Sequence, residues 1–158
     1  MATQPELRLC LAAAPGGHLD ELLSLRPAYA DLPHFFVLNH SAARRHDPLG
    51  RVWWMPDYGL GGRLRRVVAL AQLIIQSVRI YAAERPNALI TTGPLTGLPL
   101  ALLIRARGGR VIFIECSAQV MTPSRSGRLF RFLAHRFFIQ WPSLQRHYPN
   151  AEHAGLLL

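Results

Sequence analysis

The feature that most constrains this chain is a regular alternation of short apolar runs with longer stretches of helical pattern. The candidate strands are Leu7–Ala14, Phe35–Leu38, Val52–Met55, Ala88–Thr91, Val111–Ile114 and Phe137–Gln140. The candidate helices lie near Leu19–Ala30, Gly62–Glu84, Gly97–Arg107 and Ser124–Ala134. The strand runs are continuously apolar, as is typical when helices cover both faces of a sheet. The pattern predicts an α/β, Rossmann-like, doubly wound parallel sheet, and 158 residues fit one domain, 1–158.

A glycine turn joins the first candidate strand to the first candidate helix. Its sequence is Pro15-Gly16-Gly17-His18. Backbone N–H groups at the start of a helix, together with the positive end of its dipole, favour an anion such as phosphate. Histidine is the side chain best suited to moving protons near neutral pH. The turn therefore indicates chemistry on a phosphorylated or nucleotide-like ligand.

Two further turns follow candidate strands at the same predicted edge of the sheet. They are Thr91-Thr92-Gly93-Pro94-Leu95-Thr96-Gly97 and Glu115-Cys116-Ser117-Ala118. Ligands of open α/β sheets bind beyond the carboxyl ends of the strands. Each turn also has a purely structural interpretation: glycines that only shape the backbone, a capping or solvated His18, and a Glu115 that pairs with an arginine. Their occurrence at three equivalent strand ends favours a site.

Several common site types are disfavoured by missing residues. The dinucleotide fingerprint G-x-G-x-x-G is absent, and Asn39 stands where an acidic ribose ligand is expected. The chain has no lysine, which excludes a lysine-containing P-loop, and it has no G-x-S-x-G elbow. Cys10 and Cys116 show no C-x-x-C spacing, and the histidines show no metal-ligand spacing. We therefore predict reduced thiols, no metal and no cofactor.

The formal net charge of +9 comes from 18 arginines. Such a charge attracts phosphates, nucleic acid and anionic lipid head groups. The apolar run Val67–Ile75 is flanked by arginines, namely Arg63, Arg65 and Arg66 before it and Arg79 after it. The run is shorter than the roughly 20 residues that span a bilayer. This helix either packs against the sheet or lies on an anionic membrane surface, and the nearby Trp53, Trp54 and Tyr58 suit both interpretations. No signal-peptide pattern is present.

Four motifs occur in an order and spacing that resemble a known family. They are Ala13-Ala14-Pro15-Gly16-Gly17-His18-Leu19, Thr91-Thr92-Gly93, Phe113-Ile114-Glu115-Cys116-Ser117 and Gln140-Trp141-Pro142-Ser143-Leu144. Together they resemble the motifs of the Alg14-like proteins, including bacterial subunits of the PssD type. The similarity covers nearly the whole chain, through Tyr148-Pro149 and Gly155.

The resemblance implies one half of a split enzyme. The fold would be equivalent to the N-terminal half of a GT-B glycosyltransferase, such as the peptidoglycan enzyme that adds N-acetylglucosamine to a lipid-linked sugar. This half would bind a lipid-diphosphate-linked saccharide acceptor in polysaccharide biosynthesis, at the cytoplasmic face of the membrane. An Alg13/PssE-like partner would bind the UDP-sugar, and transfer would need both subunits. Family members in eukaryotes begin with a membrane anchor, whereas the first strand here begins by Leu7. We therefore expect peripheral attachment, either through the Arg63–Arg79 helix and its neighbours or through the partner.

The resemblance also implies roles for particular residues. His18 and Glu115 would be catalytic. His18 would act as general base on the acceptor hydroxyl or orient it, and Glu115, together with Ser117, would hydrogen-bond hydroxyls of the acceptor sugar or hold His18. Acceptor or phosphate binding would fall to Gly16, Gly17, Thr92, Gly93 and Ser117. Membrane contact would fall to Arg63, Arg65, Arg66 and Arg79. The partner interface would include Leu156, Leu157 and Leu158.

Two other functions remain open at this point. The chain could be a non-catalytic scaffold that recruits the partner subunit to the membrane, with glycine turns that serve only the backbone. It could also be a basic nucleic-acid-binding domain. The second alternative is weaker, because no nucleic-acid-binding motif is present and few aromatic residues lie among the arginines.

Overall fold

The computed structural model describes residues 6–40, 49–57 and 62–157, and its centre is a seven-stranded sheet. The strands are β1 Leu9–Ala13, β2 His34–Asn39, β3 Val52–Met55, β4 Ala88–Thr91, β5 Arg110–Ile114, β6 Arg136–Ile139 and β7 Glu152–His153. Their order is β3-β2-β1-β4-β5-β6-β7, and every neighbouring pair is parallel. β1 lies between β2 and β4, so the chain changes its direction of travel across the sheet there. This topology confirms the predicted Rossmann-like, doubly wound sheet.

Helices connect the strands and cover both faces. They are α1 Gly17–Ser24, α2 Arg26–Tyr29, α3 Arg63–Glu84, α4 Leu98–Ala106 and α5 Arg125–Phe130. Short 3₁₀ helices span Leu95–Gly97 and Pro142–Arg146. The side chains of β1 alternate between two cores. Leu9, Leu11 and Ala13 join the core that contains Leu19 and Leu22 of α1, whereas Cys10 and Ala12 join the opposite core.

Some elements differ from the sequence prediction. The helix predicted at Leu19–Ala30 is two helices separated at Leu25, because Pro27 lies in the first turn of α2 and cannot donate a backbone hydrogen bond to a continuing helix. The helix predicted at Ser124–Ala134 ends earlier, at Phe130. β7 has no counterpart in the prediction, since Glu152 and His153 are both exposed and carry no apolar signal.

Helix α3 has one narrow buried face and a larger surface of exposed apolar side chains. The buried residues of α3 recur at helical spacing on the face that packs near β3 and α4. They are Leu73, Ser77, Ile80 and Glu84. The other faces expose large apolar side chains: Leu64, Val67, Val68, Leu70, Ile74, Ile75 and Val78. Leu64 is 78% exposed and Val67 is 65% exposed. The interpretation of α3 as a helix buried against the sheet is therefore wrong for most of its surface.

The apolar character of α3 also extends beyond the run Val67–Ile75. The helix has 22 residues, and an 18-residue window has a mean hydropathy of 1.3, with 22% of that window buried. By length and composition alone, it is long enough to cross a membrane. The helix is longer than the apolar run Val67–Ile75, because it begins at Arg63 and continues past Arg79 to Glu84.

Candidate functional site

Three turns meet at the carboxyl edge of the sheet, next to the point where the strand order reverses. They follow β1, β4 and β5, and they are the three turns singled out by sequence. Parallel strands place these turns on the same side, which is where open α/β sheets bind ligands. The structure brings together His18, Thr92, Gly93 and Ser117, and adds to them two residues that sequence reasoning did not assign, Glu21 and Cys116.

His18 is fixed by the turn after β4. Its Nδ1 lies 2.7 Å from the carbonyl oxygen of Thr92, and the Thr92 hydroxyl donates to the carbonyl oxygen of His18, also at 2.7 Å. Because a carbonyl only accepts, Nδ1 must carry the proton of this bond. The neutral ring then has its lone pair on Nε2, which can accept a proton.

Gly93 lets the imidazole lie against the second turn. Its φ of +130° belongs to a region that other residues rarely adopt. A Cβ at this position would lie 3.2 Å from Cε1 of His18 and 3.6 Å from the hydroxyl of Ser126. Gly93 is therefore required both by its backbone conformation and by the close approach of His18.

Gly16 and Gly17 form the exposed start of α1. Gly16 is the N-cap residue with φ 79°, and Gly17 is the first residue of the helix. The carbonyl of Gly16 accepts from the backbone N–H groups of Leu19 and Asp20. The N–H groups of Gly17 and His18 precede the internal bonds of the helix and are the ones that such a turn offers to an anion.

Glu21 is a buried acidic residue one helical turn after His18. It is 0% exposed, and its Oε1 accepts from the backbone N–H of Ser117 at 2.6 Å. Its Oε2 is buried and has no hydrogen-bond partner among the described residues. The spacing of three residues from His18, which puts both on one face of α1, is the sequence signal that could have identified it.

Cys116 completes a compact group with His18 and Glu21. One potential ligand atom from each residue lies within 4.8 Å of the others. Burial raises the pKa of the Cys116 thiol, a hydrogen bond with the Ala118 backbone lowers it in part, and the Glu21 carboxylate raises it. The thiol is therefore protonated near neutral pH when no cation is bound.

Glu115 lies next to Cys116 in sequence, but its side chain enters a different environment. It is 1% exposed, and its Oε2 accepts from the Tyr148 hydroxyl at 2.8 Å and from the Ser124 backbone N–H at 3.3 Å. Burial and the bond to Glu115 both raise the pKa of Tyr148. These contacts favour a structural role at the start of α5, and the catalytic role of Glu115 stays a prediction.

A cleft of about 380 Å³ opens beside the turns that follow β1 and β4 and the start of α5. Its walls include Pro15, Asn39, Gly93, Thr96, Arg125 and Ser126. The Asn39 amide accepts from the Thr96 hydroxyl at 3.1 Å and donates to the carbonyl oxygen of Pro56 at 3.3 Å. It therefore connects the end of β2 to the 3₁₀ helix that follows β4 and to the residue after β3. Arg125, which sequence reasoning did not assign, supplies a cation to this wall. The cleft size suits a small polar ligand.

The remaining predicted site residues lie away from the cleft. Arg63, Arg65, Arg66 and Arg79 are exposed on α3, and Arg79 also lines a groove with Trp53 and Trp54. Leu156 is exposed, whereas the backbone N–H of Leu157 donates to the Gln140 side chain at 2.9 Å. Leu158 and Tyr58 lie outside the described residues.

Comparison with known proteins identifies related sequences. Residues 63–157, more than half of the chain, match the family model "Oligosaccharide biosynthesis protein Alg14 like". The chain is 29% identical over 184 aligned residues to the UDP-N-acetylglucosamine transferase subunit ALG14 of Mus musculus, covering 96% of this chain and 83% of the mouse protein. It is 32% identical over 98 residues to the subunit of the same name from Yarrowia lipolytica, covering 58% of this chain and 45% of that protein.

Solved structures share the fold at low sequence identity. Acinetobacter baumannii MurG matches with a TM-score of 0.72 and 14% identity, covering 96% of this chain and 45% of the MurG chain. The UDP-GlcNAc 2-epimerase of Methanocaldococcus jannaschii matches with a TM-score of 0.66 and 12% identity, covering 90% of this chain and 42% of the epimerase. The chain therefore spans less than half the length of these structural relatives. The predicted equivalence to one half of a GT-B fold is confirmed.

Proposed function

Because this chain belongs to the Alg14-like family, we propose that it is the acceptor-side subunit of a two-component, UDP-sugar-dependent glycosyltransferase. Its substrate would be a lipid-diphosphate-linked saccharide in polysaccharide biosynthesis. Curated relatives named as UDP-N-acetylglucosamine transferase subunits support the reaction class. The observation that carries the proposal is the position of His18 beside an exposed glycine turn. Its Nδ1 is held by the Thr92 carbonyl, which leaves Nε2 as the nitrogen that can accept a proton.

In the proposed reaction, His18 is the general base. Nε2 takes the proton of the acceptor hydroxyl while that oxygen forms a bond to the anomeric carbon of the donor sugar. The bond from that carbon to UDP breaks, and UDP leaves with the electron pair. General-base catalysis of this kind contributes typically ~10²–10⁴-fold. The reaction needs no cofactor from this subunit.

The acceptor diphosphate would lie at the start of α1. The N–H groups of Gly17 and His18 and the helix dipole favour an anion there, and Arg125 lines the neighbouring cleft. Thr92, Gly93 and Ser117 would form the wall around the acceptor sugar. Glu115 would act through the α5 segment that it holds, as a positioning residue rather than at the reacting atoms.

The partner subunit would complete the cleft. We propose an Alg13/PssE-like protein that binds the UDP-sugar, with Leu156, Leu157 and Leu158 in the interface. Attachment to the membrane would be peripheral, at the cytoplasmic face, through the exposed apolar side chains of α3 and its arginines. The same exposed surface is also what a non-catalytic recruiting scaffold would require, so activity measurements must separate the two functions.

The test is reconstitution with the partner subunit, radiolabelled UDP-N-acetylglucosamine and a lipid-diphosphate-linked sugar. We expect radioactive lipid product only when both proteins are present. Full transfer by the partner alone in detergent, where recruitment to a membrane is irrelevant, would overturn the proposal. A chain that accelerates the partner on vesicles but not in detergent would support the scaffold instead.

A further inference from the structure

His18, Glu21 and Cys116 combine three different metal-ligating groups in one small space. His18 and Glu21 lie on the same face of α1, and Cys116 follows β5. A ligand atom from each lies within 4.8 Å of the others. No local spacing of ligands in the sequence predicts this group, because Glu21 and Cys116 are 95 positions apart and only the tertiary fold brings them together.

The imidazole of His18 is prepared as a ligand. Nδ1 donates to the backbone carbonyl of Thr92, which fixes the tautomer and leaves Nε2 available. This arrangement, in which the second ring nitrogen bonds to a carbonyl, is usual for histidines that bind metals. It also holds the ring against Gly93, so little side-chain freedom is lost when an ion binds.

The carboxylate of Glu21 lacks a partner for one of its oxygens. The Ser117 backbone N–H occupies Oε1 at 2.6 Å, whereas Oε2 is buried and unpartnered among the described residues. A buried carboxylate oxygen without a donor is costly, and a cation is the group that most directly satisfies it. The unpartnered oxygen of Glu21 therefore supports a cation at this position, beside the closeness of the three groups.

We propose that His18, Glu21 and Cys116 form a binding site for a thiophilic divalent cation, for which Zn²⁺ is the best match. Zinc accepts nitrogen, carboxylate oxygen and thiolate ligands together, whereas Mg²⁺ and Ca²⁺ prefer oxygen alone. Binding forms a metal–sulfur bond and breaks the S–H bond of Cys116, so one proton is released to solvent for each ion. The charges of the carboxylate and thiolate balance that of the ion. A fourth coordination position remains for water.

The site would regulate the reaction proposed above, and this consequence rests on that proposed function. A bound ion occupies the His18 nitrogen that would accept the acceptor proton. Zn²⁺ would therefore inhibit transfer, and chelation would restore it. The binding itself requires neither the partner subunit nor any substrate.

The binding test uses the full chain without a histidine tag, titrated with Co²⁺ as a spectroscopic substitute for zinc. We expect one cobalt per chain with a thiolate-to-cobalt charge-transfer band, release of one proton, and loss of the band when Zn²⁺ is added. Cys116→Ser should abolish the band, and Glu21→Gln should weaken binding at least 10-fold. Cys10→Ser is the matched control, because Cys10 is also a buried thiol but lies within β1. The control should retain the band.

A second measurement avoids variants that fail to fold. X-ray absorption of the zinc-loaded wild-type chain should show one sulfur at about 2.3 Å and lighter ligands at about 2.0–2.2 Å. No charge-transfer band, a band that persists in Cys116→Ser, or an absorption spectrum with only nitrogen and oxygen ligands would each overturn the site. Because neither readout involves sugar transfer, failure of the metal site and failure of the proposed function are separable.

Discussion

His18 and Thr92 are joined by two hydrogen bonds of opposite direction. The imidazole Nδ1 donates to the Thr92 carbonyl, and the Thr92 hydroxyl donates to the His18 carbonyl, each at 2.7 Å. The pair connects the first turn of α1 to the end of β4, so the ring is fixed relative to the sheet rather than to its own turn alone. Preorganisation of this kind is what a general base needs, since small misplacements reduce rates strongly.

Replacing His18 tests the proposed general base. We expect His18→Ala to reduce transfer by the reconstituted pair ~10²–10⁴-fold, with little change in thermal unfolding. His34→Ala is the matched control, because His34 Nδ1 also donates to a backbone carbonyl, that of Leu32 at 2.7 Å, but at the opposite edge of the sheet. The control should keep near-normal transfer. Full activity in His18→Ala would remove the catalytic role.

Gly93→Ala tests the position of the imidazole. The new Cβ would lie 3.2 Å from Cε1 of His18 and would occupy a backbone conformation with φ +130°, so the ring must shift. We expect transfer to fall by about 10²-fold, mainly in kcat. Gly97→Ala is the control, since its Cβ would make only an ordinary contact, 3.5 Å from Ala12. Equal activity of the two variants would contradict a fixed position for His18.

Membrane association through α3 can be tested without the partner. Val68→Gln and Ile75→Gln together should weaken binding of the chain to anionic vesicles about 10-fold, because each removes apolar surface that would be buried in the lipid. Vesicle flotation measures this directly. Leu102→Gln is matched to Ile75, since both side chains are 52% exposed, but Leu102 lies on α4. Binding that all variants retain would show that α3 is not the contact.

The packing of Glu115 against α5 predicts a steep cost at Gly127. A Cβ there would lie 2.1 Å from Oε2 of Glu115 and 2.4 Å from the Tyr148 hydroxyl. We expect Gly127→Ala to lower the free energy of unfolding by about 1–3 kcal/mol or more. Gly17→Ala should instead stabilise by about 0.4–1 kcal/mol, because its Cβ meets nothing within 4 Å. Urea unfolding of both variants tests whether the space beside Gly127 is filled and the space beside Gly17 is open.

Glu84 predicts a pH dependence of stability. Burial raises its pKa, but hydrogen bonds from Arg8 and Trp53 and the charge of Arg51 outweigh burial and hold the pKa below the ordinary value of a glutamate. A carboxyl group whose pKa is lower in the folded protein than in the unfolded chain stabilises the fold. This contribution is fully present above the pKa of the unfolded chain and is lost as the pH falls through the pKa of the folded protein. Near neutral pH, Glu84→Gln should reduce the free energy of unfolding by about 1–3 kcal/mol.

The same variant shows over which pH range the contribution of Glu84 to the free energy of unfolding should be lost. As the pH falls from the ordinary glutamate range through the lowered pKa of the folded protein, the difference between wild type and Glu84→Gln should shrink. The carboxyl group is protonated first in the unfolded chain and then in the folded protein, where it loses its charge. Urea unfolding over an acidic pH series measures this difference. A difference that does not change with pH would mean that the ionised form of Glu84 adds no stability.

Local sequence was enough to predict most of the sheet and the three turns of the site. The apolar runs of β1, β4 and β5 are strong signals, and glycines mark the points where the chain leaves β1 and β4. β7 was missed because two exposed polar residues carry no periodic pattern. The division of α1 from α2 was missed because the apolar pattern continues through Leu25, although Pro27 breaks the hydrogen bonding.

By itself, the sequence determined the fold class, the family motifs and the three turns, because strand and helix periodicity and glycine turns are local properties of the chain. Only the tertiary structure decided which side chains face one another. It placed Glu21 and Cys116 beside His18, and it directed Glu115 toward Tyr148. It also left most of α3 exposed, although its composition fits a buried helix equally well. Contacts between residues that are distant in sequence depend on the order of the strands and on which face of the sheet each side chain points to. A local sequence pattern does not specify which strands become neighbours.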